Sequence, residues 1–119
     1  MAYDSDNIFA KILRSEIPAG TVFENDHVLA FRDIAPKAPV HLLIIPKGAY
    51  TDFADFSARA SDAEIVAFNR AVGEIATRHK LDETGYRLIA NIREDGCQEV
   101  PHYHVHLLGG ENLGSPFKN

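Results

Sequence analysis

The run "PHYHVHLLGG", residues 101–110, places three histidines at every second position with aromatic and aliphatic residues between them. A period of two belongs to an extended strand, where successive side chains point to opposite faces of a sheet. His102, His104 and His106 therefore share one face, and Tyr103, Val105 and Leu107 share the other. The apolar set needs a partner layer. A helix further upstream offers one: Ile65, Phe68, Val72, Ile75 and Ala76 recur every three to four residues, the stripe of an amphipathic helix. The run thus predicts a strand packed on a helix through Tyr103, Val105 and Leu107, with the histidines on an open face. Three imidazoles in register along a strand would stand roughly 6–7 Å apart, close enough to share a ligand and far enough to divide its tasks.

The remaining elements follow from local signals. "NIFAKILRSE" reads as a short N-terminal helix, capped by Asp4, Ser5 or Asp6 and stopped by Pro18 and Gly20. "TVFEN" and "VLAFRD" read as a hairpin about Asn25-Asp26-His27, and "VHLLIIP" as a central strand after the two-proline loop "DIAPKAP". "SDAE" at Ser61–Glu64 is a capping box opening the long helix, which should end near His79-Lys80. "YRLIANI" and "HYHVHLL" are the last two strands. The order predicts an α+β fold, a five-stranded antiparallel meander with helices on one face. With 119 residues and no repeat or linker, one domain over 1–119 is expected. A net charge of -5 argues against a nucleic acid polymer as partner. The longest apolar run, "LLIIP", is far too short for a bilayer, the N-terminus lacks a signal-peptide pattern, and the lone Cys97 suits a reducing compartment. No membrane partner and a cytoplasmic location are expected. His27 in a turn and His79 at a helix end read as solvent-facing.

Two chemistries suit a histidine row. One is metal binding, since His-x-His on a strand can chelate zinc or iron. "GCQEVPHYH" matches the opening of the cupin metal motif. The glutamate that motif needs next falls instead on Leu108 or Gly109, and its second half has no counterpart. The other is nucleophilic catalysis at phosphorus, where neutral imidazole attacks and the phosphoimidazole hydrolyses. It requires donors for phosphate oxygens and a proton source for the leaving group. His41, opening an apolar strand, is a fourth candidate, able to pair with His102 if the two lie on neighbouring strands.

The alternating His-apolar pattern of residues 102–108 resembles the signature of the histidine triad (HIT) superfamily. "NIFAKILRSEIPAGTVFENDHVLAFRDIAPKAPVHLLIIPKG" and "GYRLIANIREDGCQEVPHYHVHLLGG" are similar to the two halves of its histidine triad nucleotide-binding (Hint) branch, in its bacterial form. The resemblance implies a purine nucleotide-binding hydrolase of nucleoside 5'-phosphoramidates, working through a nucleotidyl-histidine and needing no cofactor. It also implies a homodimer whose sheets join into one continuous ten-stranded sheet. By the same resemblance His104 is the nucleophile, His106 contacts phosphate oxygens and aids proton transfer, and His102 with His41 orients the site. Asn91 falls on the phosphate side and Asp33 at the ribose hydroxyls. Ile8, Phe9, Ile12, Ile17, Phe31, Arg32 and Ile34 fall at the purine pocket, although the apolar ones also read as ordinary core. Gln98 and Val100 occupy the phosphate loop.

This chain departs from the family pattern in places. Glu99 stands where many relatives carry a serine assigned to leaving-group protonation, and it suits recognition of a cationic leaving group as well. "GGE" at 109–111 replaces Gly-Gly-Arg, and the tail "NLGSPFKN" lacks tryptophan. Some relatives hold zinc on a Cys-x-x-Cys pair that falls here on Asn7 and Ala10, so no metal is expected. His106 and the residues between the histidines speak against the nucleotidyltransferase and diadenosine-polyphosphate hydrolase branches. The latter stays open as an alternative, as do a nucleotide-sensing or protein-interaction module with weak catalysis and, third, a metal hydrolase.

Overall fold

The histidine run enters its strand three residues later than its alternation suggests. In the computed structural model, which describes residues 2–117, the last strand covers Val105–Gly109 (β5). His102, in a bend, and His104 precede it outside the ladder. The other strands are β1 (Thr21–Glu24), β2 (Val28–Arg32), β3 (Val40–Pro46) and β4 (Tyr86–Ile89). All neighbours pair antiparallel in the order β1-β2-β3-β5-β4. The first three strands form a meander. The last two come in with β5 innermost, because the chain crosses behind the sheet before β4 and turns back. That places the histidine strand beside β3, with Leu43 opposite His106 and His41 opposite Leu108.

The crossing is made by two helices. One is α3 (Asp62–Arg78), whose Ser61 and Glu64 form the expected capping box and whose C-cap is His79. The other, Phe53–Arg59 (α2), is an addition to the sequence expectation. Asp52 caps it by accepting the Asp55 amide, and Phe56 is buried. Phe56, Phe68, Val72, Ile75 and Ala76 pack with Val28, Ala30, Leu42 and Ile44 of the sheet and with Tyr103, Val105 and Leu107. Each large side chain so buried contributes about 1.5–3 kcal/mol. The apolar half of the alternating run lies where the pattern placed it.

The opposite face is not open. The N-terminal helix, Ile8–Leu13 (α1), lies on it and forms a second cluster of Phe9 with Leu29, Phe31, Leu43 and Ile45. Helices therefore cover both faces, not one, and the histidines lie beneath α1. Its N-cap is Asn7, which accepts the Ala10 amide at 2.9 Å, rather than one of the three preceding residues. Asp4 instead closes the turn before it, its carbonyl accepting from the Asn7 amide and side chain. Among the described residues no helix is long and apolar enough to cross a membrane.

Candidate active site

Burial separates the three histidines. His102 is 0% exposed, His104 is buried, and His106 is half-buried at the edge of the cluster. The Phe9 ring stands edge-on to His104 at 5.0 Å and to His102 at 6.3 Å, so α1 forms the wall that shields them. His104 and His106 lie 5.2 Å apart, ring centre to ring centre.

The hydrogen-bond partners of these rings assign their protons, because several partners can act in only one sense. His102 Nε2 faces the Pro46 carbonyl at 2.9 Å, so it carries hydrogen and donates. Its Nδ1 is then an acceptor, taking the Tyr3 hydroxyl at 2.6 Å. His104 Nδ1 faces the His102 carbonyl at 2.7 Å and donates to it. That leaves Nε2 of His104 with a free lone pair. In the second pair, His41 Nδ1 accepts the Lys37 amide at 3.0 Å. Its Nε2 must carry the proton, directed at His106 Nδ1 at 2.9 Å with the Asp33 carboxylate 3.4 Å away. His106 Nδ1 accepts, so His106 Nε2 is an N–H donor. Among the described residues neither His104 Nε2 nor His106 Nε2 has a protein partner. Among the described residues no buried side-chain nitrogen or oxygen lacks one, so both atoms open to solvent. A bare nucleophilic nitrogen and an N–H donor stand on adjacent rings.

The rings are also held neutral. Burial lowers His102 from 6.5 to about 4, against the Pro46 carbonyl, which favours the charged form. Burial, with the neighbouring His104 and His41, takes His106 to about 4 as well. Burial lowers His104 too, opposed by the His102 carbonyl and by the Glu99 and Asp33 carboxylates. His41 is lowered by burial and raised by Asp33. Desolvation wins at every ring.

His41 pairs with His106, not with His102. His102 finds its partners instead at Pro46 and Tyr3, because the antiparallel register sets His41 opposite Leu108 and leaves His102 at the other end of β3. Asp33, Arg32 and His41 line one cleft of about 210 Å³ with the proline loop and His79. His79 is half-buried, its Nδ1 on the Ile75 carbonyl, where a solvent-facing ring was expected; His27 is exposed as expected. Phe9 and Phe31 are buried in the core cluster, with Ile12 and Val100 packed against it. Ile12 and Ile17 line a second cleft of about 280 Å³. Ile8 is exposed and Ile34 is 99% exposed, so within this chain neither is gathered into a pocket wall. Asn91 is half-buried just beyond β4.

The loop before the histidines is tightly braced. The Gln98 side chain donates to the Thr51 and Val100 carbonyls and accepts the Arg93 amide, while the Arg93 guanidinium reaches buried Asp52 at 3.3 Å. Arg93 and Cys97 both adopt left-handed backbone, at φ 52° and 58°. At Gly96 a Cβ would lie 2.5 Å from the Ile92 carbonyl oxygen. Glu99, carried by this loop, is exposed. The sequence carried no sign of Tyr3, whose partner lies 99 residues away, nor of the Lys37 amide. Asp52 could have been found, since an aspartate three residues before Asp55 and four before Phe56 is a helix-start pattern.

Asp33, His41 and His106 bring three potential metal ligands within 4.8 Å of one another. The donor set does not fit an ion. Ligation through His41 Nε2 would move its proton to Nδ1, directly against the Lys37 N–H. The positions of the zinc pair fare no better: Asn7 and Ala10 are bonded to each other as a helix cap, with neither thiolate nor imidazole.

A model of the HIT domain family matches residues 14–113. An uncharacterized HIT-like protein of Azospirillum brasilense is 56% identical over 94% of this chain and 92% of its own. The purine nucleoside phosphoramidase of Escherichia coli strain K12 is 46% identical over 92% of this chain and 91% of its own. The crystal structure of a HIT family hydrolase from Legionella pneumophila superposes with a TM-score of 0.83 at 45% identity, covering 92% of this chain and 96% of that one.

Proposed function

This chain belongs to the HIT domain family, and from that premise we propose that it hydrolyses purine nucleoside 5'-phosphoramidates through a nucleotidyl-histidine. The observation that carries the reading is the proton assignment: an unprotonated Nε2 on His104 beside an Nε2–H on His106. The phosphoramidase name of the Escherichia coli relative agrees with it.

His104 Nε2 attacks phosphorus with its lone pair, forming a P–N bond as the P–N bond to the amine breaks. The amine leaves with that electron pair and takes up a proton. His106 Nε2–H donates to a non-bridging oxygen, where charge builds in the transition state. The amine's proton comes from solvent at the open side of the site and is made good when water attacks, while His41 Nε2–H and the Asp33 carboxylate behind it keep the His106 N–H directed at the phosphate. Water then attacks phosphorus, the P–Nε2 bond breaks, and His104 returns neutral with a nucleoside monophosphate as product. No cofactor enters these steps. We assign Asp33 to the ribose hydroxyls, and Arg32, Ile8, Phe9, Ile12, Ile17, Phe31 and Ile34 to the purine. Asn91, Gln98 and Val100 are assigned to the phosphate side. Glu99 is exposed, and its charge bears on both His104 and His106. That suits contact with a cationic amine at the mouth. The proposal includes a homodimer, formed through the free edge of β4.

The test is a His104→Ala variant assayed on a fluorogenic adenosine phosphoramidate, with diadenosine polyphosphate alongside. Loss of turnover by about 10⁴-fold or more, the scale on which a covalent nucleophile acts, is expected. Wild-type turnover in the variant removes His104 as nucleophile. Full nucleotide binding by the wild type with no turnover of any phosphoramidate makes the chain a nucleotide-sensing module instead.

A further inference from the structure

We infer that Tyr3 is a positioning residue of the active site: its hydroxyl anchors the His102 ring at Nδ1 and, through the His102 carbonyl, holds His104 in place. The inference rests on the reaction proposed above and adds to it a residue outside the histidine row. His102 is 0% exposed and sits among groups that leave its ring little freedom. One ring nitrogen donates to the Pro46 carbonyl of β3. The other has one partner, the Tyr3 hydroxyl at 2.6 Å, with the two rings edge to face at 5.6 Å. The Pro46 carbonyl selects the Nε2–H form, and the hydroxyl satisfies the lone pair that this leaves on buried Nδ1, where a missing partner is costly. If the proton moved to Nδ1, the Pro46 carbonyl would lose its donor and the ring its anchor on β3. The carbonyl of the same residue accepts from His104 Nδ1 at 2.7 Å. Fixing the ring at both nitrogens therefore fixes the acceptor that keeps the proton off the attacking nitrogen of His104.

The N-terminal arm is built to deliver that hydroxyl. Between Tyr3 and α1 the chain makes a closed turn, with the Asn7 amide and side chain both donating to the Asp4 carbonyl and the Asp6 amide to the Asp4 carboxylate. Asn7 is buried and caps α1, and Arg14 donates to the Ser5 carbonyl at 2.8 Å. The same helix carries Phe9 onto the His104 ring. Arm, helix and histidines form one hydrogen-bonded unit.

Tyr3→Phe removes the hydroxyl and little else. The measurement is ¹⁵N NMR of the imidazole rings in the full chain, with kcat and KM on the adenosine phosphoramidate. In the wild type, His102 should show a protonated Nε2 and a hydrogen-bond-accepting Nδ1, and His104 a protonated Nδ1. In Tyr3→Phe the His102 Nδ1 signal should move to that of an unbonded imine nitrogen, and the His104 signals should shift as the His102 carbonyl loses its fixed place. kcat should fall about tenfold, the effect of one buried hydrogen-bond partner, with KM changed by less than about twofold. Unchanged ring nitrogens in Tyr3→Phe overturn the inference, whatever happens to kcat; so does unchanged kcat in an active enzyme. So does a wild-type His102 protonated at Nδ1, which decides the matter even if the variant does not fold. A wild type inactive on phosphoramidates whose ring nitrogens still respond to Tyr3→Phe leaves the positioning role standing and removes the reaction.

Discussion

At the scale of the residue, the site works by withholding charge. Four histidines within one cluster would repel one another as imidazolium, and burial keeps them neutral instead. The sign of the pH dependence follows. His102 binds a proton near 6.5 when unfolded but only near 4 when folded. Between those values the unfolded chain holds more protons, so stability is level above about 6.5 and falls as pH drops toward 4. At about 1.4 kcal/mol per unit, His102 alone removes roughly 3 kcal/mol across that window. His106, partly exposed, adds less. Urea midpoints measured stepwise from about pH 7.5 to 4 check this, and His102→Gln should flatten the slope; an equal slope in that variant contradicts it. Activity should be full at neutral pH, with its acid limb below 6.5, where His104 begins to take up protons. The identity and sharing of these residues were legible, because a period of two needs no tertiary information. Which nitrogen carries hydrogen was not, since that is decided by backbone groups, the Pro46 and His102 carbonyls and the Lys37 amide, whose directions a residue pattern does not carry.

At the scale of the element, the loop from Arg93 to Glu99 stores conformational cost. Cys97 holds a left-handed backbone that costs a non-glycine residue about 1–2 kcal/mol. Cys97→Gly should therefore raise stability by up to about 1 kcal/mol, part of the gain being offset by the freer unfolded chain. Gly96→Ala, with a Cβ forced to within 2.5 Å of backbone, should lower it by more than Cys97→Gly raises it. Thermal melts of the two variants decide both signs. Gln98 ties the loop to Thr51, just before α2, by one hydrogen bond and closes the loop on itself through Arg93 and Val100 by two more, which accounts for a braced loop with unfavourable dihedrals. The capping box of α3 was readable to the residue because it is a local bargain between Ser61 and Glu64. Helix α2 was missed, although Asp52 and Phe56 carry its start and its buried contact. The histidine strand was placed three residues too early, because alternation marks extended backbone whether or not a ladder partner is present.

At the scale of the whole molecule, the sheet has two edges and they differ. The β1 edge ends in Glu24, paired with Lys47 at 2.7 Å. The β4 edge presents Tyr86 and Leu88, both exposed. An unpaired strand with apolar side chains invites another strand, in keeping with the proposed dimer through β4. Leu88→Asp should shift the molar mass seen by light scattering from two chains toward one, and a wild type that runs as a monomer at all concentrations contradicts the dimer. The two-layer expectation failed at this scale for a physical reason. A helix of six residues is too short to announce a layer, yet Phe9 on α1 is enough to close the histidine face. What looked like an open row is a shielded one, and shielding is what keeps the imidazoles neutral, as the proposed attack by His104 requires.

The covalent step can be read from phosphorus itself. An adenosine phosphoramidate made chiral at phosphorus with oxygen isotopes, cleaved in isotopically distinct water, records how many in-line displacements occurred. Attack by His104 followed by water gives two, and hence retention of configuration. Inversion would mean that water attacks directly and that His104 is not the nucleophile.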